Sequence, residues 1–375
     1  MKKSFILKAI VLIVGLLIFG GLIHFANYDP SPASEVNTLV EFSSARVVQV
    51  LEDNTFLDQD NPEIRYGQML LQVKMTEGAY EGELLEANHF FTGLGSIYYT
   101  EGDRVSVRTN TIDGELFTAD IYNPERREVL IGFVMVFLLA LALIGGKRGV
   151  MSIIGLAFTI ISIIFILIPL MLKGYPIILT TVVILTLITI ATLVLLGGFS
   201  PKTITAILGC LIGVVSAAFF AGLAGSLTTI SGFNMDDISL LLLWTEDLQL
   251  SGIFISSVLI ASLGAVMDTA MSIASAMEEI KATDPEISAS QLFKSGMNVG
   301  RDAIGTMSNT LILAFIGAAL SMTMVIYASG APFNQIINND SIGIELIRGV
   351  AGSLGIVLTA PAVAFIGSKL FTKWK

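Results

Sequence analysis

Apolar residues gather in long blocks along the chain, and one polar segment separates the first block from the rest. Lys2, Lys3 and Lys8 precede about 18 apolar residues over 9–26. That run exceeds the 7–15 residues of a signal-peptide core, and no convincing small-x-small cleavage site follows it, so a retained anchor is expected in place of a cleaved leader. Seven further apolar stretches follow at 129–145, 150–172, 176–196, 203–227, 251–277, 302–328 and 343–370. About 20 apolar residues in a helix cross the roughly 30 Å of bilayer hydrocarbon. The first stretch is short but adequate, and the pattern predicts about eight transmembrane helices. The run from Ile238 to Trp244 is too short to span; it fits an interfacial helix anchored by Trp244, or a re-entrant segment shielded by protein.

Residues 27–128 follow a different period. Arg46–Val50, Met69–Lys74 and Arg104–Arg108 alternate or are rich in β-formers, and Glu77-Gly78, Glu81-Gly82, Gly102-Asp103 and Asp113-Gly114 punctuate them. Such runs between turn signals predict short antiparallel strands, enough for one small barrel or sandwich. The expected fold class is therefore a polytopic α-helical membrane protein with an inserted small all-β extracytoplasmic domain. Its domains are an anchor over 1–26, the β-rich segment over 27–128 and a seven-helix membrane domain over 129–375.

Composition agrees: 54% of the 375 residues are hydrophobic and 14% charged, against about 25% charged in soluble domains. The net charge of −10 is unevenly placed, because 27–128 holds 19 acids against 7 bases. Neither part has the basic patch that nucleic-acid binding needs. One Cys and two His argue against a disulfide framework and a Cys- or His-based metal centre. Under eight spans, Lys2, Lys3, Lys147, Arg148, Lys202, Lys281, Lys294 and Lys373 fall on one side. By the positive-inside rule both termini are then cytoplasmic and 27–128 lies outside.

An ionisable side chain at mid-membrane costs about 2.5–3.5 kcal/mol and calls for a partner, a wet cavity or a bound ion. Ser257, Ala261, Gly264, Asp268, Ser272 and Ser275 recur at three- and four-residue steps, so they share one helix face. Asp268 would sit about 13 Å from the cytoplasmic end. Asp302, Thr306 and Asn309 share a face of the next span in the same way. The strings Gly264–Asp268 and Gly305–Asn309 resemble one another, a trace of the inverted repeats that build midplane sites in transporters. Asp268, Ser272, Asp302, Thr306 and Asn309 are thus candidate ligands for a solute, cation or proton. The bland reading is a structural Asp268 hydrogen-bonded to Asn309, Ser272 or Thr306. Arg301, Glu345 and Arg348 are secondary candidates; Glu345 and Arg348 have the i, i+3 spacing of an ion pair. Pro361 is expected to kink the last span. Cys210 reads as a packing residue.

No nucleophile elbow, zinc-protease or phosphate-loop motif occurs, so no enzyme activity and no cofactor are expected. An aspartyl-protease pairing of Asp268 with Asp302 is disfavoured by their unequal depths. Two functional readings remain. One is a secondary transporter or permease. The other is a non-transporting partner, a sensor or an envelope assembly factor, acting through a protein bound by the β-domain.

The run from Met267 to Ser275, then Ser295–Asp302 and Gly305–Ala314, resembles the YibE/F family of bacterial multi-span membrane proteins. The resemblance covers most of 30–370 and implies a bacterial cell-membrane protein with an outward-facing β-domain. It strengthens Asp268, Arg301, Asp302 and Asn309 as candidates and supplies no substrate.

Overall fold

A computed structural model describes residues 19–28, 38–93, 95–112, 114–235, 238–242 and 249–373. Trp244 lies outside the described residues. The chain divides into two compact units, 29–140 and 1–28 with 141–375.

The first unit contains five strands, β1 (Thr38–Leu57), β2 (Arg65–Met75), β3 (Leu84–Gly93), β4 (Arg104–Ile112) and β5 (Glu115–Pro124). The three alternating runs of the sequence fall in β1, β2 and β4. The strands close into a barrel in the order β1-β2-β3-β5-β4. β1 is long enough to pair with β4 through 38–46 and with β2 through 45–57. Bulges between Val47 and Gln49 and between Val50 and Glu52 bend it around the barrel. Every pairing is antiparallel except β3 with β5, which is parallel and consists of the single bridge Asn88–Asp120. That order, with one weak parallel seam, is the topology of an OB-fold barrel.

The period-2 pattern of β2 turns Met69, Leu71, Val73 and Met75 inward, where they meet Val47, Ala87, Phe91, Val105 and Val107. Gly67 in β2 takes φ +110°, and a Cβ there would lie 2.9 Å from the Thr55 Cα, so neither the backbone nor the space admits a side chain. His89 is buried in this core. Its ring stands edge-on to Phe91 and Tyr99 at 4.6 and 4.9 Å, and Nε2 lies 3.0 Å from the Ile97 carbonyl, which accepts its proton in the neutral ring.

The second unit is helical. Residues 19–27 form α1; α2 (Arg127–Leu172) starts in the first unit and ends here. Then come α3 (Ile177–Gly197), α4 (Pro201–Thr228), the short α5 (Ile238–Leu242), α6 (Leu250–Thr283), α7 (Ala289–Ala318), α8 (Leu320–Ala328), the short α9 (Phe333–Ile337) and α10 (Asp340–Lys373). Among the described residues, α2, α3, α4, α6 and α10 are long and apolar enough to cross a membrane, and α7 with α8 makes a sixth if the bent pair is one span.

The stretches 129–145 and 150–172 form two helical arms that meet at a break at Gly146, whose φ of 55° and ψ of −133° only glycine adopts readily. A Cβ on Gly149 would run into the Leu141 carbonyl oxygen, where eight residues of continuous helix would span about 12 Å, so the chain turns back on itself there. The stretch 302–328 is not one straight span. α7 begins at Ala289, behind a Ser288–Gln291 capping box, and bends by 61° into α8 at Ala319, where Gly317, Ala318 and Ala319 supply little side chain to hold the turn. α10 is one helical element from Asp340 to Lys373 with Pro361 inside it.

The end of α1 is tied down by polar contacts. A π-turn at Ile163–Leu167 loosens the ladder of α2, and Asn27 Nδ2 donates to the Phe165 carbonyl there at 2.8 Å. Lys173 Nζ donates to the carbonyls of Phe25 and Tyr28 at 3.2 and 2.5 Å, a cation at a helix C-terminus.

Burial of His89 lowers its pKa below the ordinary imidazole value of 6.5. The folded barrel therefore resists a proton that the unfolded chain accepts, and its stability rises with pH up to about 6.5 and falls as pH drops below that value. His89→Gln keeps a donor for the Ile97 carbonyl and removes the titration. Thermal unfolding of the barrel, followed from pH 7 to 5, is expected to show a fall in Tm below about pH 6.5 that is flattened in this variant.

Candidate functional site

The site candidates lie on α6 and α7, and their placement follows from how α10 packs. α10 lies against α4, α6 and α7. Its small residues admit close approach: Gly355 faces the Gly213 carbonyl and Ala217 of α4, and Ala360 faces Gly300 of α7. A Cβ on Gly300 would lie 2.9 Å from that of Ala360 and 3.3 Å from Ile273 of α6, and one on Gly296 would meet Met277 of α6. Gly352 of α10 touches both Leu311 of α7 and Ser262 of α6. These contacts fix an antiparallel register in which 277 is level with 296, 273 with 300 and 262 with 311.

Continuing the same register, Asp268 is level with Gly305, and Gly264 is level with Asn309. The carboxylate of one helix is thus at the level of a glycine of the other, and the carboxamide likewise, without contact between them. Asp268 and Asn309 are one helical turn apart, about 6 Å along the axis, and not at one level as the spacing suggested. A Cβ built on either Gly264 or Gly305 meets nothing within 4 Å. Both glycines therefore face open space on the side of α6 and α7 away from the core.

The buried face of α6 carries Val258, Leu259, Val266, Ala270, Ile273 and Met277. Asp268, Ser272, Asp302, Thr306 and Asn309 are all exposed, as are Ala261 and Gly264. No hydrogen bond joins Asp268 to Asn309, Ser272 or Thr306 among the described residues. Thr306 instead donates back to carbonyls of its own helix, at 3.1 Å from Ala303 and 3.3 Å from Asp302. The hydrogen bonds of the bland reading of Asp268 are thus not made among the described residues: Asn309 stands one turn away in the register, and the Thr306 hydroxyl is taken by its own helix. Arg301 bonds Asn298 at 3.2 Å and not Asp302. At the end of α6, Lys202 of α4 pairs with Glu278 at 2.7 Å.

The secondary pair does form. Arg348 Nη1 donates to Glu345 Oε1, with both side chains about one-fifth exposed, and Arg348 Nε donates to Ser257 Oγ on α6 at 3.1 Å. The pair lines a cavity of about 320 Å³ at the bend between α7 and α8, beside Ala318, Ala319, Asn234 and Ser341. The sequence named Ser257, Glu345 and Arg348 separately; 91 residues separate Ser257 from Arg348, so no local pattern joins them. It did not single out Ser308 or Ser353, whose hydroxyls are buried without a partner in the described structure. Opposite Leu311–Gly352, these two serines fall at neighbouring levels of α7 and α10. Cys210 is fully buried between α3 and α4, with Thr189 at 3.9 Å.

The exposed polar stripe, the glycine-mediated register and the bent span all fall within residues 133–373, which match the family described as YibE/F-like protein. The match covers more than half of the chain, and the chain belongs to that family. Searches of curated proteins and of solved structures give no match.

The two kinds of glycine differ in the sign of their response to substitution. Gly305→Ala places its methyl in open space and gains helix propensity, up to about 1 kcal/mol. Gly300→Ala drives a methyl into Ala360, a rigid neighbour, and overpacking of that kind costs about 1–3 kcal/mol. Thermal unfolding in detergent is expected to leave Gly305→Ala at or above the wild-type Tm and to lower Gly300→Ala.

Proposed function

We propose that the chain is a secondary transporter or permease of the cell membrane, with its polar intramembrane site built around Asp268 and Asn309. The observation that carries the reading is the level pairing of Asp268 with Gly305 and of Asn309 with Gly264, an acid and an amide one turn apart with open space at both glycines. A carboxylate in that position binds a proton or a cation, and an adjacent amide adds both a donor and an acceptor for a solute. Ser272, Thr306 and Asp302 extend the polar surface toward the cytoplasmic ends of the two helices.

The bend at Ala319 adds support. Discontinuous spans are where transporters place binding sites, because irregular backbone is tolerated at membrane depth only where protein or water covers it. The cavity at the bend and the Asp268 site share the α6 stripe: Ser257, bonded to Arg348, lies 11 residues from Asp268, about 16 Å along the helix. An eight-span topology fits this arrangement. Its members are the N-terminal helix, the two arms of α2 about Gly146, α3, α4, α6, the α7–α8 pair and α10. Forty-six residues of helix measure about 69 Å, more than twice the hydrocarbon thickness, so α2 crosses twice only if the chain reverses at Gly146. Both termini are then cytoplasmic and the barrel is extracytoplasmic.

The second reading, a sensor or envelope assembly factor, draws on the barrel with its own lined cavity. The two readings predict opposite outcomes. Proteoliposomes loaded with a pH-sensitive dye and challenged with Na⁺, K⁺, amino acids and nucleosides are expected to show flux that Asp268→Asn abolishes while the protein still folds into the membrane. Full flux in Asp268→Asn would overturn the site. If deletion of 30–124 removes the cellular activity while Asp268→Asn retains it, the partner reading replaces the transporter.

A further inference from the structure

The barrel contains a cavity of about 400 Å³ where its wall is weakest. β3 and β5 are held by the single bridge Asn88–Asp120. Beyond that bridge the strands part, and the segment after β3 folds over the gap, with Thr92 N–H donating to Ser96 Oγ at 3.3 Å and the Ile97 carbonyl turned to His89. The space left is lined on one side by Phe90 and Thr92 and on the other by residues 120–124 of β5, with Arg108 and Arg126 among its walls.

Its charge is the reverse of its surroundings. The segment 27–128 carries 19 acids and 7 bases, yet two arginines and one acid line this cavity. Arg108 donates to Asp120 Oδ2 at 3.0 Å through Nη2, which leaves other donors of its five-N–H fork for a ligand. Arg126 is exposed and forms no ion pair among the described residues, whereas Arg104 pairs with Glu128 and Arg127 with Glu77. The acids beside Arg126 in sequence are engaged elsewhere. Glu125 accepts from Ser44 Oγ and from the Arg127 N–H, and Glu128 holds Arg104 in a two-pronged contact. Of the charged side chains that line the cavity, Arg108 and Arg126 outnumber Asp120, so the lining itself is net positive.

We propose that this cavity binds a small organic anion, whose phosphate or carboxylate oxygens are taken by the guanidinium groups of Arg126 and Arg108. Paired guanidinium donors suit planar or tetrahedral oxyanions, and the hydroxyls of Thr92 and Ser96 with the Asn123 amide offer neutral hydrogen bonds to a hydroxylated body. The volume falls within the range of small-molecule sites. The inference is independent of the Asp268 site, since every residue it uses belongs to the barrel.

Calorimetric titration of the full-length protein in detergent tests it, with glycerol 3-phosphate, glucuronate and the neutral controls glycerol and glucose. At least one anion is expected to bind at concentrations up to about 10 mM, and the neutral compounds are not. Binding of glycerol 3-phosphate alone assigns a phosphate ester, of glucuronate alone a sugar acid, and of both an oxyanion site. Arg126→Gln, a change at an exposed side chain with no ion pair to lose, is expected to weaken binding about tenfold or more. Arg108→Gln is expected to weaken it as well, and Arg108→Lys to a smaller extent, because the charge opposite Asp120 is kept. Asp268→Asn is expected to leave the affinity unchanged. No heat from either anion, or equal binding by wild type and both glutamine variants, would overturn the proposal.

Discussion

The geometry of the membrane unit depends on how closely α10 approaches its neighbours. Hydrocarbon gives helices no hydrophobic reason to associate, so packing and interhelical hydrogen bonds must supply it. Gly355 against Gly213 and Ala217, and Ala360 against Gly300, bring backbones within the reach that larger side chains would forbid. Those same contacts set α7 against α6. A change of one residue in that register would turn Asp268 away from Gly305 and Asn309 away from Gly264. The placement of the polar groups is thus a consequence of packing between residues that carry no polar chemistry.

Much of this was legible in the sequence because period and length are local properties. The alternation in Met69–Lys74 gave a strand with Met69, Leu71 and Val73 inward, and the apolar blocks from 176 to 370 gave helices close to those observed. The helix face shared by Ala261, Gly264, Asp268 and Ser272 was also readable, since a helix puts i and i+4 together whatever surrounds it. What surrounds it was not readable. Whether Asp268 meets Asn309 depends on the register between two helices, and that is fixed by α10, about 90 residues from Asp268. The bend at Ala319 was missed for a related reason: hydropathy is insensitive to direction, and Gly317-Ala318-Ala319 is as apolar as a straight span. Closure of the barrel and its thin β3–β5 seam rest on strand order, which alternation does not encode.

The barrel shows how net charge and local charge part company. Its acidity identifies it in the sequence and says nothing of where the cations go. In the fold, Arg104, Arg108 and Arg127 each find a carboxylate, and Arg126 is left at the mouth of a cavity. Exposed ion pairs of this kind contribute little to stability, about 0–1 kcal/mol each. Their consequence is positional: Arg104 and Arg127 are taken up by Glu128 and Glu77, while Arg126 lines the cavity with no ion pair among the described residues.

The membrane unit presents the complementary problem. Its stripe from Ser257 to Ser272 is small and polar on a helix whose opposite face is a tightly packed core. Gly264 and Gly305 sit in open space, while Gly296, Gly300 and Gly352 sit in contact. Glycines of the second kind are explained by close helix approach. Those of the first kind are not, because an alanine would fit and would favour the helix. The space at the two open glycines is level with Asp268 and Asn309. On the transporter reading proposed above, Asp268 lies at membrane depth, where a carboxylate costs about 2.5–3.5 kcal/mol, and no hydrogen bond to Asn309, Ser272 or Thr306 offsets that cost among the described residues. On that reading a proton, cation or solute entering the space accounts for the acid.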